Sequence, residues 1–296
     1  MSFLIILIAA WGTGAMMLNR VALEDPLELI GFRLLCGLIP VAALALTLGS
    51  FSLVWTQYML GATALGWVLY SLRFPASGGR TPGCWNFKDL SLLEGGAIAA
   101  VLAAWFLSLI SALAPATGWD GAVAHLALPS DYAREGRILL DPGNVYSGYP
   151  HFMHGLYAVA IVGDHELPVS LLNWTLGCLA CLSIYSLGRR IGTRQTGLVS
   201  AALLATAPIY MDQAGNVGID LPFVAYSTAA LAAVAAWHNG RRTEWLMVAA
   251  LLAGASCGIR HTGYLVCLLL ALGVACLSLQ SRSIRPFAFF SAVTLL

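Results

Sequence analysis

Residues 114–165 read APATGWDGAVAHLALPSDYAREGRILLDPGNVYSGYPHFMHGLYAVAIVGDH. This is the one long polar interval in an otherwise apolar chain, and it carries Asp120, Asp131, Glu135, Asp141 and Asp164. The runs on either side are long enough to cross a bilayer. A span needs about 20 apolar residues, because the hydrocarbon core is roughly 30 Å thick and each helical residue rises about 1.5 Å. An acidic interval of this length between such runs reads as a structured loop at a membrane surface. That reading fixes the fold class as all-α: a polytopic transmembrane helical bundle with a long outer loop of short interfacial helices.

The loop has legible local signals. Gly121 to Leu128 has the pattern of two helical turns, with Asp120 at the start and Pro129 at the end. Ser130 is placed to cap a short helix over 131–135 that Gly136 closes. Asp141-Pro142-Gly143-Asn144 is a turn sequence. Tyr149-Pro150 leads into 151–162, which is apolar but too short to span. This segment is expected to lie in the interface, with Tyr149, Phe152 and Tyr157 at headgroup depth.

Outward from the loop, composition agrees. The chain of 296 residues is 59% hydrophobic and 10% charged, with mean hydropathy +0.81, against roughly 25% charged in soluble domains. Candidate spans are 2–18, 28–48, 53–72, 91–113, 167–188, 195–211, 220–238, 244–259 and 263–280. A further run, 286–296, is too short to cross upright, so the sequence is expected to be the N-terminal portion of a longer protein. Three domains of organisation follow: three N-terminal transmembrane helices over 1–72, a Gly/Pro/Ser-rich inner linker over 73–90, and a core over 91–296 that contains the outer loop.

Lysine and arginine set the orientation. With the N-terminus outside, the inner connections hold Arg20, Arg73, Arg80, Lys88, Arg189, Arg190, Arg194, Arg241, Arg242, Arg282 and Arg285. The outer side keeps Arg134, Arg137 and Arg260, and Arg33 lies within a span. The acidic loop then faces outward, together with Asp212 and Asp220. A net charge of +1 and the lack of a basic patch give no footprint for nucleic acid. Six of the seven cysteines sit in apolar runs, where they read as small helix residues. The first apolar run has no basic flank before it, so it is not read as a cleaved leader.

At Trp119-Asp120 the order of elements becomes informative. An apolar span is followed by WDGAVAHLALPSDYAREGRI, then a Tyr-Pro step, then a span ending GRRIG, then LLATAPIY and NVGIDLPFVAY. Over roughly residues 91–280 this resembles the GT-C class of integral-membrane glycosyltransferases, the type that includes protein O-mannosyltransferases and lipid A aminoarabinose transferases. The N-terminal spans are similar to extra helices of some bacterial members and also, through AAWGTGAMMLNRVALEDPLELIGFRLL, to drug/metabolite exporters. The resemblance implies transfer of a hexosyl or pentosyl group from a polyprenyl-phosphate donor to a hydroxyl of an acceptor glycan, lipid or protein. It further implies an extracytoplasmic site in a multi-pass protein of a bacterial inner membrane. The family carries an acid in its first outer loop, where Asp120 stands, and a second outside a later span, matched by Asp220. The basic residue after a Gly-rich span is commonly Lys; here GASCGIRHTGYL supplies Arg260. An aromatic commonly precedes the loop histidine; here Ala124 precedes His125.

Such a reaction needs one base for the acceptor hydroxyl and one cation for the departing phosphate. Asp120 is the candidate catalytic base; the alternative is a helix cap. Arg260 is the candidate phosphate ligand, since an ionisable group at membrane depth is costly and a guanidinium grips phosphate bidentately; the alternative is an arginine snorkelling at a short helix end. Asp220 either orients the acceptor, binds a metal, or faces the positive end of its own helix. His125, His261 and Tyr149 complete the candidate substrate-binding set. Asp120 and His125 are five apart, roughly 140° around an α-helix, and are not expected to share a face. His151 and His154 read as packing residues. No cofactor is certain; a divalent metal is left open. The rival reading is a transporter or flippase, which would place polar groups near the midplane; a third is an accessory subunit with a degenerate site.

Overall fold

A computed structural model describes residues 2–23, 25–73, 90–163, 165–280 and 283–294. The described residues form a helical bundle with no strand among them. The expected linker over 73–90, with Arg80, Cys84 and Lys88, falls almost wholly outside them, as do Asp164 and Arg282. The helices are α1 (Ser2–Met17), α2 (Pro26–Gly49), α3 (Leu53–Arg73), α4 (Leu92–Ala112), α5 (Ala127–Glu135), α6 (Phe152–Ile161), α7 (Leu167–Ile191), α8 (Arg194–Ala205), α9 (Pro208–Gly215), α10 (Asp220–Gly240), α11 (Thr243–Ile259), α12 (Gly263–Gln280) and α13 (Arg285–Thr294). Five of them, α2, α4, α7, α10 and α12, are long and apolar enough to cross a membrane.

Helix starts follow capping chemistry. Asp25 accepts from the backbone N–H of Leu27 at 2.9 Å and of Glu28 at 3.2 Å, and Pro26 supplies the first turn of α2. Ser91 and Glu94 form a reciprocal capping box on α4. The expected span 195–211 is not one helix: it breaks at Thr206-Ala207, and Pro208 restarts the chain as α9. Proline has no N–H to continue α8 but fits a first turn.

α7 and α10 pack along each other at the centre, with α8 and α4 on one side and α2 and α6 on the other. Because α2 packs on both α6 and α7, the three N-terminal helices share one core with the rest. α6 differs from the expectation of an interfacial helix. Every residue from Phe152 to Ile161 is buried, enclosed by α1, α2, α3, α5, α7 and α11. Apart from His154 and the Tyr157 hydroxyl, which bond buried partners, its sequence is apolar all round, and a helix without a polar face belongs inside protein rather than on a headgroup layer. Within the loop over 114–165, α5 starts at Ala127 and includes Pro129 and Ser130. Pro129 does not end a helix, since its missing N–H falls in the first turn, where no intrahelical acceptor exists. Gly136 does close α5, at φ +71°.

The 25 residues of α7 connect two polar ends. At its C-terminal end Arg189 and Arg190 meet Glu28, and Arg194 at the start of α8 meets Glu94. The sequence reading made this end simply basic; the structure neutralises much of that charge with Asp25, Glu28 and Glu94. Its N-terminal end lies beside the outer-loop helices and the cavity described next.

Candidate active site

A cavity of about 390 Å³ opens where the start of the loop over 114–165, the head of α10 and the α11–α12 turn converge. All six residues singled out from the sequence line it: Asp120, His125, Tyr149, Asp220, Arg260 and His261. Trp119, Tyr146 and Thr262 line it too and were not anticipated as site residues. Aromatic side chains next to a polar cluster were the available signal.

Asp120 and His125 share the cavity because the backbone between them is not α-helical. Gly121 to His125 forms a π-turn, closed by the Leu126 N–H bonding the Gly121 carbonyl at 2.8 Å. An i→i+5 ladder brings residues five apart to nearly the same side, which corrects the 140° separation drawn from an α-helix. Gly121 fits closely under the Val217 carbonyl, 3.2 Å from where a Cβ would stand. The Asp120 carboxylate is exposed and makes no capping hydrogen bond, so a capping role is not what this side chain does. Among the described residues it has no hydrogen-bond or ion-pair partner.

Asp220 opens α10, and Arg260 is the extended residue that ends α11. Their side chains form a direct ion pair, 43% and 47% exposed respectively. The sequence treated them as separate candidates; the fold joins them. One carboxylate cannot saturate a guanidinium with five donors, so Arg260 keeps hydrogen-bonding capacity for a ligand. His261 and Thr262 follow in the turn, and His261 meets the ring of Tyr149 edge-on at 5.9 Å.

Asp220 is held in place from beneath. Asn173, on α7, donates to the carbonyls of Gln213 at 2.9 Å and Asn216 at 2.7 Å, and accepts from the Gly218 N–H at 3.3 Å. Tyr157 of α6 donates to the Gly218 carbonyl at 2.7 Å. Asn216 in turn accepts from the Gly118 N–H at 3.0 Å, tying the strand of chain before Asp120 to the strand before Asp220. Tyr157 is thus a buried positioning group, not a headgroup anchor. Asn173, a buried amide in an apolar span, carries its own sequence signal, since such a group is costly unless it is bonded. Asp212 lies outside the cavity lining and accepts from Asn216 Nδ2 at 3.1 Å.

Burial governs the histidines here. His125 is 8% exposed, and desolvation lowers its pKa below the usual imidazole value, with Asp120 and Asp220 opposing the shift and Arg260 adding to it. His154 is wholly buried, and desolvation, aided by His125 and His151, takes it down to about 3. Both rings are neutral at pH 7. On the solvent side of the loop, Arg134 pairs with Asp131 at 3.2 Å, an exposed contact one turn apart on α5. Among the described residues no group of three or more His, Cys, Asp or Glu side chains converges to hold a metal ion.

Residues 151–296 match the family model described as dolichyl-phosphate-mannose-protein mannosyltransferase. The match covers α6 to α13, with Asp220, Arg260 and His261, and begins after Asp120 and His125. No curated protein and no solved structure matches the chain.

Proposed function

From the premise that residues 151–296 are similar to GT-C type membrane glycosyltransferases, we propose that this integral membrane protein moves a sugar from a polyprenyl-phosphate donor to an acceptor hydroxyl in the cavity around Asp120. The observation that carries the reading is the convergence of an unpartnered carboxylate and a partly free guanidinium on one hollow. The acceptor oxygen attacks the anomeric carbon while the bond from that carbon to the phosphate oxygen breaks. The hydroxyl proton passes to the Asp120 carboxylate, a step worth roughly 10²–10⁴-fold when the base is positioned. The polyprenyl phosphate leaves with the bonding electron pair, and Arg260 faces its charge with the donors that Asp220 does not occupy. Asp220 aims the guanidinium. A phosphate is already a good leaving group, so one carboxylate suffices, unlike the pair that flanks the bond in glycoside hydrolysis. Inversion at the anomeric carbon is what the family resemblance implies.

Extracytoplasmic action and a bacterial inner membrane belong to the same proposal; they follow from the arginine distribution and the resemblance. The test is transfer from a short-chain polyprenyl-phosphate mannose in reconstituted membranes, repeated with other lipid-linked hexoses and pentoses. Wild-type turnover that disappears in Asp120→Asn supports the reading. Turnover unchanged in that variant removes Asp120 from the chemistry, and no turnover with any lipid-linked sugar sinks the proposal.

A further inference from the structure

The HFMH segment over 151–154 is not used in the transfer chemistry, yet it is wired to the cavity. His125 Nδ1 and His154 Nε2 are 3.0 Å apart, with the rings stacked at 5.3 Å between centroids. The ring of His151 meets His154 edge-on at 5.6 Å. His151 Nε2 bonds the Tyr132 hydroxyl at 2.9 Å, and its Nδ1 bonds the Tyr149 carbonyl. This set, buried at His125 and His154 and more open at His151 and Tyr149, touches the cavity at two points, His125 and Tyr149.

We infer that His154 is a positioning residue: by holding His125 Nδ1 from inside the protein, it leaves Nε2 as the one ring atom of His125 offered to the cavity, where it hydrogen-bonds a hydroxyl of the sugar or acceptor. The inference rests on the reading of this cavity as the transfer site. A histidine with both nitrogens free would rotate and exchange tautomers; one bond to a fixed partner removes that freedom. The partner is fixed because α6 is enclosed on every side. The neutral state also follows from the surroundings. His125 faces Asp120, Asp220, Arg260 and His154; the two carboxylates favour its protonated form and Arg260 opposes it, but burial is the largest influence and decides. His154 faces the imidazoles of His125 and His151 and the Pro150 backbone but no carboxylate, so a proton there has no counter-charge. A direct ring-to-ring bond needs one donor and one acceptor, and it breaks if both rings are protonated.

The test exploits which nitrogen of His154 is used. Glutamine carries its amide at about the reach of Nε2, whereas asparagine stops near Nδ1. His154→Gln is expected to keep most of the turnover. His154→Asn, with the same chemistry one bond shorter, is expected to lose roughly 10- to 100-fold in kcat, as displaced reacting groups do. Nitrogen-15 spectra of histidine-labelled protein in lipid nanodiscs give a readout independent of turnover. A His125 Nδ1 resonance displaced by hydrogen bonding in wild type, retained in His154→Gln and lost in His154→Asn, supports the inference even if no lipid-linked sugar is turned over. Equal damage from Gln and Asn, or a His125 signal indifferent to both, overturns it and leaves His154 a packing residue.

Discussion

The two polar ends of the bundle use the same residue types to opposite effect. At the C-terminal end of α7, Glu28 is 1% exposed and accepts from Arg190 at 2.7 Å, with Arg189 at 3.3 Å. Arg190 is also stacked over Trp245 at 4.3 Å, and Tyr185 donates to Asp25 at 2.8 Å. Charge there is closed off from solvent and paired with opposite charge, although Glu28 Oε1 and Arg190 Nε are buried without a hydrogen-bond partner among the described residues. At the other end Asp120 is exposed and unpartnered, and the Asp220–Arg260 pair is half open to the cavity. A buried pair with one member removed leaves an uncompensated charge in a poor solvent, whereas an exposed carboxylate costs the fold little. The comparison separates scaffold from site without any appeal to motif.

The sharpest way to break it is a pair of isosteric carboxylate-to-amide changes. Asp120→Asn is expected to lower transfer by about 10²–10⁴-fold, with the thermal midpoint and membrane insertion unchanged. Glu28→Gln is expected to lower stability by about 3–5 kcal/mol, since the buried Arg190 loses its counter-charge while Arg189 keeps Asp25 at 3.6 Å, and activity per folded molecule stays near wild type. Denaturation in detergent and turnover normalised to folded protein separate the two axes. If Asp120→Asn unfolds the protein and Glu28→Gln silences it, the assignment of ends is inverted.

Much of this geography is legible in the sequence, and the failures have physical causes. Helix positions follow apolar run length closely: α2, α3, α7, α10 and α12 begin and end within three residues of the expected spans. The six cavity residues were reachable because charge and aromaticity at the ends of apolar runs are costly features. What could not be read is anything that depends on a non-standard backbone or on long-range pairing. The π-turn at 121–125 has no composition signature, so His125 was turned away from Asp120. The Asp220–Arg260 pair spans 40 residues, and the Asn173 network joins α7 to the chain before α10. The burial of α6 was missed because length alone rules out a span without saying whether lipid or protein covers the segment.

Arg260→Lys sharpens the comparison from inside the site. The charge persists, but a single ammonium cannot keep Asp220 and offer a fork to a phosphate at once. Transfer is expected to fall by roughly 10-fold, about 1.4 kcal/mol of transition-state stabilisation. At the closed end the matching Arg190→Lys should act on stability instead, since it abandons the stack on Trp245. Steady-state kinetics on both variants distinguish them. An Arg260→Lys enzyme with wild-type kcat and KM means that the guanidinium does not meet the phosphate.

Tyr157→Phe should give the smallest effect, and it probes the ground between the two ends. The hydroxyl bonds the Gly218 carbonyl two residues before Asp220, and it also lies 3.2 Å from Asn173 Oδ1. Removing it keeps the ring in its wholly buried place but leaves that carbonyl without its donor, which costs about 1–3 kcal/mol. If the buried network belonged to the scaffold alone, only the thermal midpoint would move. Because the same carbonyl precedes Asp220, which pairs with Arg260, a shift there is expected, on the proposed mechanism, to reach transfer as well. The expected result is therefore a modest drop in both quantities, with transfer down roughly two- to fivefold, far less than for Asp120→Asn. Combining Tyr157→Phe with Arg260→Lys tests the route. Effects on transfer that add show Tyr157 acting independently of the guanidinium, whereas a double variant no slower than Arg260→Lys shows that Tyr157 reaches the chemistry through it.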